Sequence, residues 1–151
     1  MANNQGQTFV FNTAKEWLAD GMFDLDDFVW KIALITSLPV VTQATPNLSD
    51  YSEVASGNGY TSGGETLTAT WVESGGTVTF TFTGTPAASW TQNALGPTDI
   101  VAGLIYSPSS SPINQALGFV DFRSGSPATA ISLQAGDISY TPHASGFFTL
   151  A

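Results

Sequence analysis

Cysteine is absent from this chain, which excludes a disulfide framework and any thiolate metal site. Strong bases are scarce: Lys15, Lys31 and Arg123 stand against 12 acidic residues, for a net charge of −9. Proteins that grip nucleic acid neutralise phosphates with clustered Lys and Arg, and no such cluster exists here. The expectation is no nucleic-acid partner and no anionic membrane surface. The lone histidine, His143, leaves no nitrogen set for zinc. No apolar run approaches the ~20 residues of a membrane span. The start, MANNQGQTFVF, lacks the basic n-region and apolar h-region of a signal peptide, so synthesis and assembly in a cytoplasm are expected.

What is present is a β-forming mixture. Apolar residues make up 42% of the chain against 10% charged, enough to build a core, and Thr, Ser and Gly fill most polar positions. One domain is expected. Residues 1–8 read as a flexible polar arm and 9–151 as a single β domain. Thr13 and Glu16 have the spacing of a capping box. Ala14, Trp17 and Leu18 share one helical face, and Gly21 supplies a left-handed stop. A short helix is therefore expected between residues 13 and 20.

From Phe28 the period changes to two. Phe28, Trp30, Ile32 and Leu34 alternate with Val29, Lys31, Ala33 and Ile35, and both sets are largely apolar. That pattern belongs to a central strand covered on both faces. Lys31 then either snorkels to an edge or meets a carboxylate. The clearest hairpin joins TLTATWVE to TVTFTFT through Ser74, Gly75 and Gly76. Val78, Phe80 and Phe82 face a core, with threonines on the other side. Further strands are expected at 87–91, 99–106, 115–123, 128–133, 137–141 and 146–150. Such short strands, broken by Pro- and Gly-rich turns, predict a mainly β fold: an antiparallel β-sandwich or jelly-roll-like barrel with one short N-terminal helix. Sheet edges this poor in lysine need other protection, so a homo-oligomer is expected.

Candidate chemistry is thin. Asp20, Asp24, Asp26 and Asp27 do not keep the EF-hand register of ligands and glycine. They read as a solvated helix-to-strand turn. His143 has no nucleophile elbow to serve and reads as a turn residue. The glycines of SGNGYTSGG (56–64) lack the Lys-Ser/Thr and the helix of a phosphate loop. No catalytic residue, metal site or cofactor is expected, and no enzyme. Trp90 and Tyr106 are candidate stacking aromatics for a sugar ring, against the alternative that they fill the core.

Two stretches, FNTAKEWLADGMFDLDDFVWKIALITS and YSEVASGNGYTSGGETL, together resemble a family of small structural proteins of tailed bacteriophages. The resemblance lies in Phe11, Asn12, Asp20, Gly21, Asp24 and Lys31, then Glu53, Val54, Gly59, Tyr60, Gly63, Gly64 and Leu67. GFVDF (118–122) and GFFTL (146–150) are similar to the family's later segments, whereas 107–115 matches no pattern. The resemblance implies a virion component, most simply a capsid decoration or cement protein whose partner is the major capsid protein. A tail-fibre or tail-adaptor component bound to tail proteins, or a carbohydrate-binding module, is the alternative. It implies no catalytic residues. Phe9, Phe11, Trp17 and Leu18 are then the candidate assembly contacts.

Overall fold

The computed structural model describes residues 6–26 and 28–150. The chain is mainly β, with 38% of residues in strands and 8% in helix. In chain order the elements are β1 (Thr8–Val10), α1 (Asn12–Ala19), β2 (Trp30–Ile35), β3 (Glu65–Leu67), β4 (Ala69–Ser74), β5 (Thr77–Phe82), β6 (Ala88–Trp90), β7 (Ala102–Ser107), β8 (Gln115–Asp121), β9 (Ile138–Tyr140) and β10 (Phe148–Leu150). They form an antiparallel sheet ordered β1-β8-β7-β2-β3, a second ordered β10-β5-β4, and a ribbon of β6 with β9. The expected antiparallel, sandwich-like architecture with one N-terminal helix is what the chain adopts.

The middle of the large sheet is made from the most apolar segments. Every residue of β7 and β8 is buried, and β2 is buried except at Lys31. The doubly covered strand read from residues 28–35 is therefore real, although pairing starts at Trp30 and leaves Val29 exposed. The small sheet turns Phe80 and Phe82 inward, both almost fully buried. Trp30 joins the two sheets: its ring lies 6.5 Å from Phe80 and 6.4 Å from Phe82. Residues 65–74 take part in both, pairing with β2 through β3 and with β5 through β4.

Helix α1 ends as its sequence requires. Gly21 adopts φ +70, its N–H donates to Leu18 O at 3.3 Å, and Met22 N–H donates to Trp17 O at 2.8 Å. These paired bonds make a Schellman stop. The start differs from expectation: Phe11 is the N-cap, with no side-chain cap. Thr13 lies inside the first turn, and its hydroxyl instead donates to Gln43 O at 3.2 Å. A longer-range backbone acceptor has won over the local box.

Two further expectations are corrected. Residues 6–8 of the supposed arm belong to the domain: Gly6 N–H donates to Asp121 O at 2.7 Å, Asp121 N–H to Gln7 O at 3.0 Å, and Thr8 pairs with Val120. Residues 1–5 lie outside the described residues. The strand expected at 128–133 is a loop, touching its neighbours through the single-residue bridges Ile100–Ile131 and Ser124–Thr129. Its backbone then turns to bond Leu133 N–H to Pro97 O at 2.9 Å, so no ladder propagates.

Candidate functional site

Five of the residues that carry the sequence resemblance, Lys31, Glu53, Tyr60, Gly63 and Gly64, lie together at one place. The loop from Glu53 to Gly64 folds back over β2 and is held by the Glu53 carboxylate. Its Oε1 accepts from the Tyr60 hydroxyl at 2.6 Å and from Gly63 N–H at 2.5 Å, and its Oε2 accepts from the Ser62 hydroxyl at 3.1 Å. Leu34 N–H of β2 donates to the Tyr60 hydroxyl at 3.1 Å. Tyr106 of β7 donates to Gly63 O at 2.8 Å. Lys31, paired in register with Tyr106, is half-buried, and a Cβ on Gly63 would meet both Lys31 Nζ and Tyr106 Oη at 3.4 Å. Gly64 follows with φ +69, pressed against the Ile32 carbonyl. The Glu53 carboxylate, the Tyr60 and Tyr106 hydroxyls and the Gly63 backbone satisfy one another and β2, which is the work of a tether.

The tether couples burial to charge. Burial, with the Glu53 charge alongside, pushes the Tyr60 hydroxyl well above its ordinary value and raises Tyr106 to about 12. Burial also raises Tyr51 and Tyr140 to about 12. Each folded value lies above the unfolded one, so the stability these groups contribute is complete below about pH 10. It is lost as pH rises from 10 through 12, where the unfolded chain ionises first. Tyrosinate absorbance should therefore appear together with loss of circular dichroism near about pH 12. Ordinary titration at about pH 10 with the fold intact would contradict this. Truncating Glu53→Ala strands the Tyr60 hydroxyl and Gly63 N–H, and should cost about 2–3 kcal/mol in denaturant unfolding. Proteolysis of the freed loop should accelerate at residues 55–62.

No family model, curated protein or solved structure matches this chain. Phe11 is fully buried, against Phe119 at 5.6 Å, and Trp17 is buried against Phe23 at 5.1 Å. Both belong to the core and present almost no surface for assembly. Phe9 is half-buried, stacked on Phe119 at 5.1 Å, and Leu18 is half-buried on the outer flank of α1. Trp90 and Tyr106, the stacking candidates, are 2% and 3% exposed, which leaves no ring face for a sugar.

The acidic run alternates with core residues. Phe23 and Leu25 are buried, Phe23 lies 5.7 Å from Trp30, and Leu25 O accepts from Trp30 Nε1 at 3.3 Å. Asp24 and Asp26 point outward, with Asp26 N–H donating to Asp24 Oδ1 at 3.1 Å. Asp27 lies outside the described residues. His143 is exposed in a turn, its Nδ1 accepting from Ser145 N–H at 3.1 Å. Among the described residues no three His, Asp or Glu side chains are grouped to hold a metal ion, and no helix is long and apolar enough to cross a membrane.

Sequence reading missed one surface. An apolar groove of about 400 Å³ runs between α1 and β10, lined by Val10, Lys15, Leu18, Ala19 and Phe148 to Leu150. A second stretch of about 360 Å³ continues it past the end of α1, sharing Leu18 and Leu150 and adding Trp71 and Asp26. Leu150 is 55% exposed there. Its walls come from opposite ends of the chain, and only the periodicity of α1 hinted at one of them.

Proposed function

We propose that this protein is a non-enzymatic virion component of a tailed bacteriophage, a decoration or cement protein on the outer capsid surface. One observation supports the reading. Glu53, Tyr60, Gly63 and Gly64, four of the residues that carry the resemblance to phage structural proteins, build a single internal tether beside Lys31. The shared pattern is then a pattern of architecture, with its polar groups spent on holding a loop to a sheet rather than on a reaction. A cement protein needs that kind of rigidity. It bridges neighbouring copies of the major capsid protein, and its many weak contacts add through avidity.

The surface chemistry agrees with this role. A net charge of −9 suits the outside of a shell better than a lumen filled with DNA. The terminal strands β1, β3 and β4 carry no lysine or proline, which leaves their edges open to neighbouring subunits in a homo-oligomer or lattice. The sugar-binding alternative loses its stacking residues to the core and is not carried forward.

Copy number in purified particles, by quantitative mass spectrometry, tests the reading. Copies on the order of hundreds would place the protein on the shell, as lattice symmetry requires. About six or twelve would move it to the tail or its adaptor. Its absence from the particle would sink the proposal.

A further inference from the structure

We infer that the groove between α1 and β10 is a docking site for one extended segment of a different protein, added as a fourth strand beside β10. This goes beyond a place on a virion and does not depend on it. Three features of the groove define its occupant.

The first is the open backbone edge. Among the described residues β10 ends the order β10-β5-β4 and pairs only with β5, from Phe148 with Phe80 to Leu150 with Val78. Its other edge carries ladder groups that an incoming strand can use, the mode of β-strand addition. The second is the floor. Leu18 and Ala19 of α1, with the half-exposed Leu150 and the half-buried Trp71, offer apolar contact at alternate positions of such a strand.

The third is polarity. Lys15 lines the part of the groove that contains Phe148, and Asp26 lines the part reached only by Leu150. An antiparallel strand would begin near Leu150 and finish near Phe148. It should therefore carry a basic residue at its start, toward Asp26, and an acidic residue or free carboxylate at its finish, toward Lys15. A second copy of this chain does not fit. Its net charge is −9 and it holds three strong bases. Arg123 is paired with Asp121 at 2.8 Å, Lys31 is half-buried within β2, and Lys15 belongs to the groove itself. No described strand brings an exposed base next to alternating apolar residues, so the occupant is another protein.

The test uses the full chain and two synthetic peptides, Lys-Thr-Val-Thr-Val-Thr-Glu and the same composition with Lys and Glu exchanged. Binding is followed by amide chemical shifts. The Lys-first peptide should shift Phe148 to Leu150 and bind about tenfold more tightly than its charge-reversed form. Leu150→Asp, at an exposed position, should weaken it by about tenfold or more. Lys15→Glu should erase much of the preference between the peptides. Three results would overturn the inference: no binding of either peptide at about millimolar concentration, binding indifferent to Leu150→Asp, or a solution dimer that Leu150→Asp dissolves. The last would make a second copy the occupant after all.

Discussion

Gly64→Ala is expected to cost about 2–5 kcal/mol, more than any other single methyl addition in the tether, because two penalties fall on one atom. Gly64 sits at φ +69, where an L side chain is strained, at about 1–2 kcal/mol. Its added Cβ would also collide with the Ile32 carbonyl and lie 2.8 Å from Ala33 Cα. Both are backbone atoms of β2, which pairs with β7 on the far side and cannot retreat cheaply. The overlap adds about 1–3 kcal/mol. Gly63→Ala is the control. Its φ is +87, but its Cβ would meet only the tips of Lys31 and Tyr106 at 3.4 Å, an ordinary contact. That change should carry the conformational term alone. Chemical denaturation of the two variants should show Gly64→Ala losing at least twice as much stability as Gly63→Ala. Equal losses would mean that the loop does not press on β2 as described.

How far the sequence revealed these features depended on whether their cause was local. The inward set Phe80 and Phe82 and the two-sided strand from Trp30 were legible because alternation records which faces are covered. The Gly21 stop was legible because only a left-handed residue closes the turn. The capping box was misread because Thr13 finds Gln43, 30 positions away. β1 was missed because three residues next to a polar start carry no periodicity, and their pairing comes from β8. Phe23 and Leu25 were hidden by the aspartates at 24, 26 and 27, which drew attention to charge in a segment whose other face is core.

The site divides in the same way. Glu53, Tyr60, Gly63 and Gly64 could be singled out by resemblance, but not their joint work. Tyr106 joins them from 43 residues beyond Gly63, and it had been read for a different task. The groove could be read only in its α1 wall, since β10 reaches it through pairing with β5. Trp17 and Phe11 were counted among the assembly contacts that the resemblance implies. The contacts of Phe11 with Phe119 and of Trp17 with Phe23 take them inside.

Trp30→Ala is the second large expected effect, about 3–5 kcal/mol against a total of roughly 5–15 kcal/mol for a domain. The side chain is 1% exposed, so its whole volume becomes a cavity. Its neighbours come from three parts of the chain: Phe23 at 5.7 Å from the acidic turn, Phe28 at 6.1 Å beside it, and Phe80 and Phe82 from the second sheet. Phe80 and Phe82 are held by the ladders of the small sheet, and Phe23 and Phe28 by the turn that follows α1, so the parts cannot collapse together onto the space. The deletion also strips Leu25 O of its donor at 3.3 Å. Trp30→Phe keeps a ring but loses that bond and part of the volume, and should cost about 1–2 kcal/mol. Denaturant midpoints should fall in the order wild type, Trp30→Phe, Trp30→Ala, with an unchanged slope if the transition stays two-state. A loss below about 1.5 kcal/mol for Trp30→Ala would show that the sheets are not joined through this ring. The interior would then have to be divided at β2, with the acidic turn and the small sheet stabilised independently of each other.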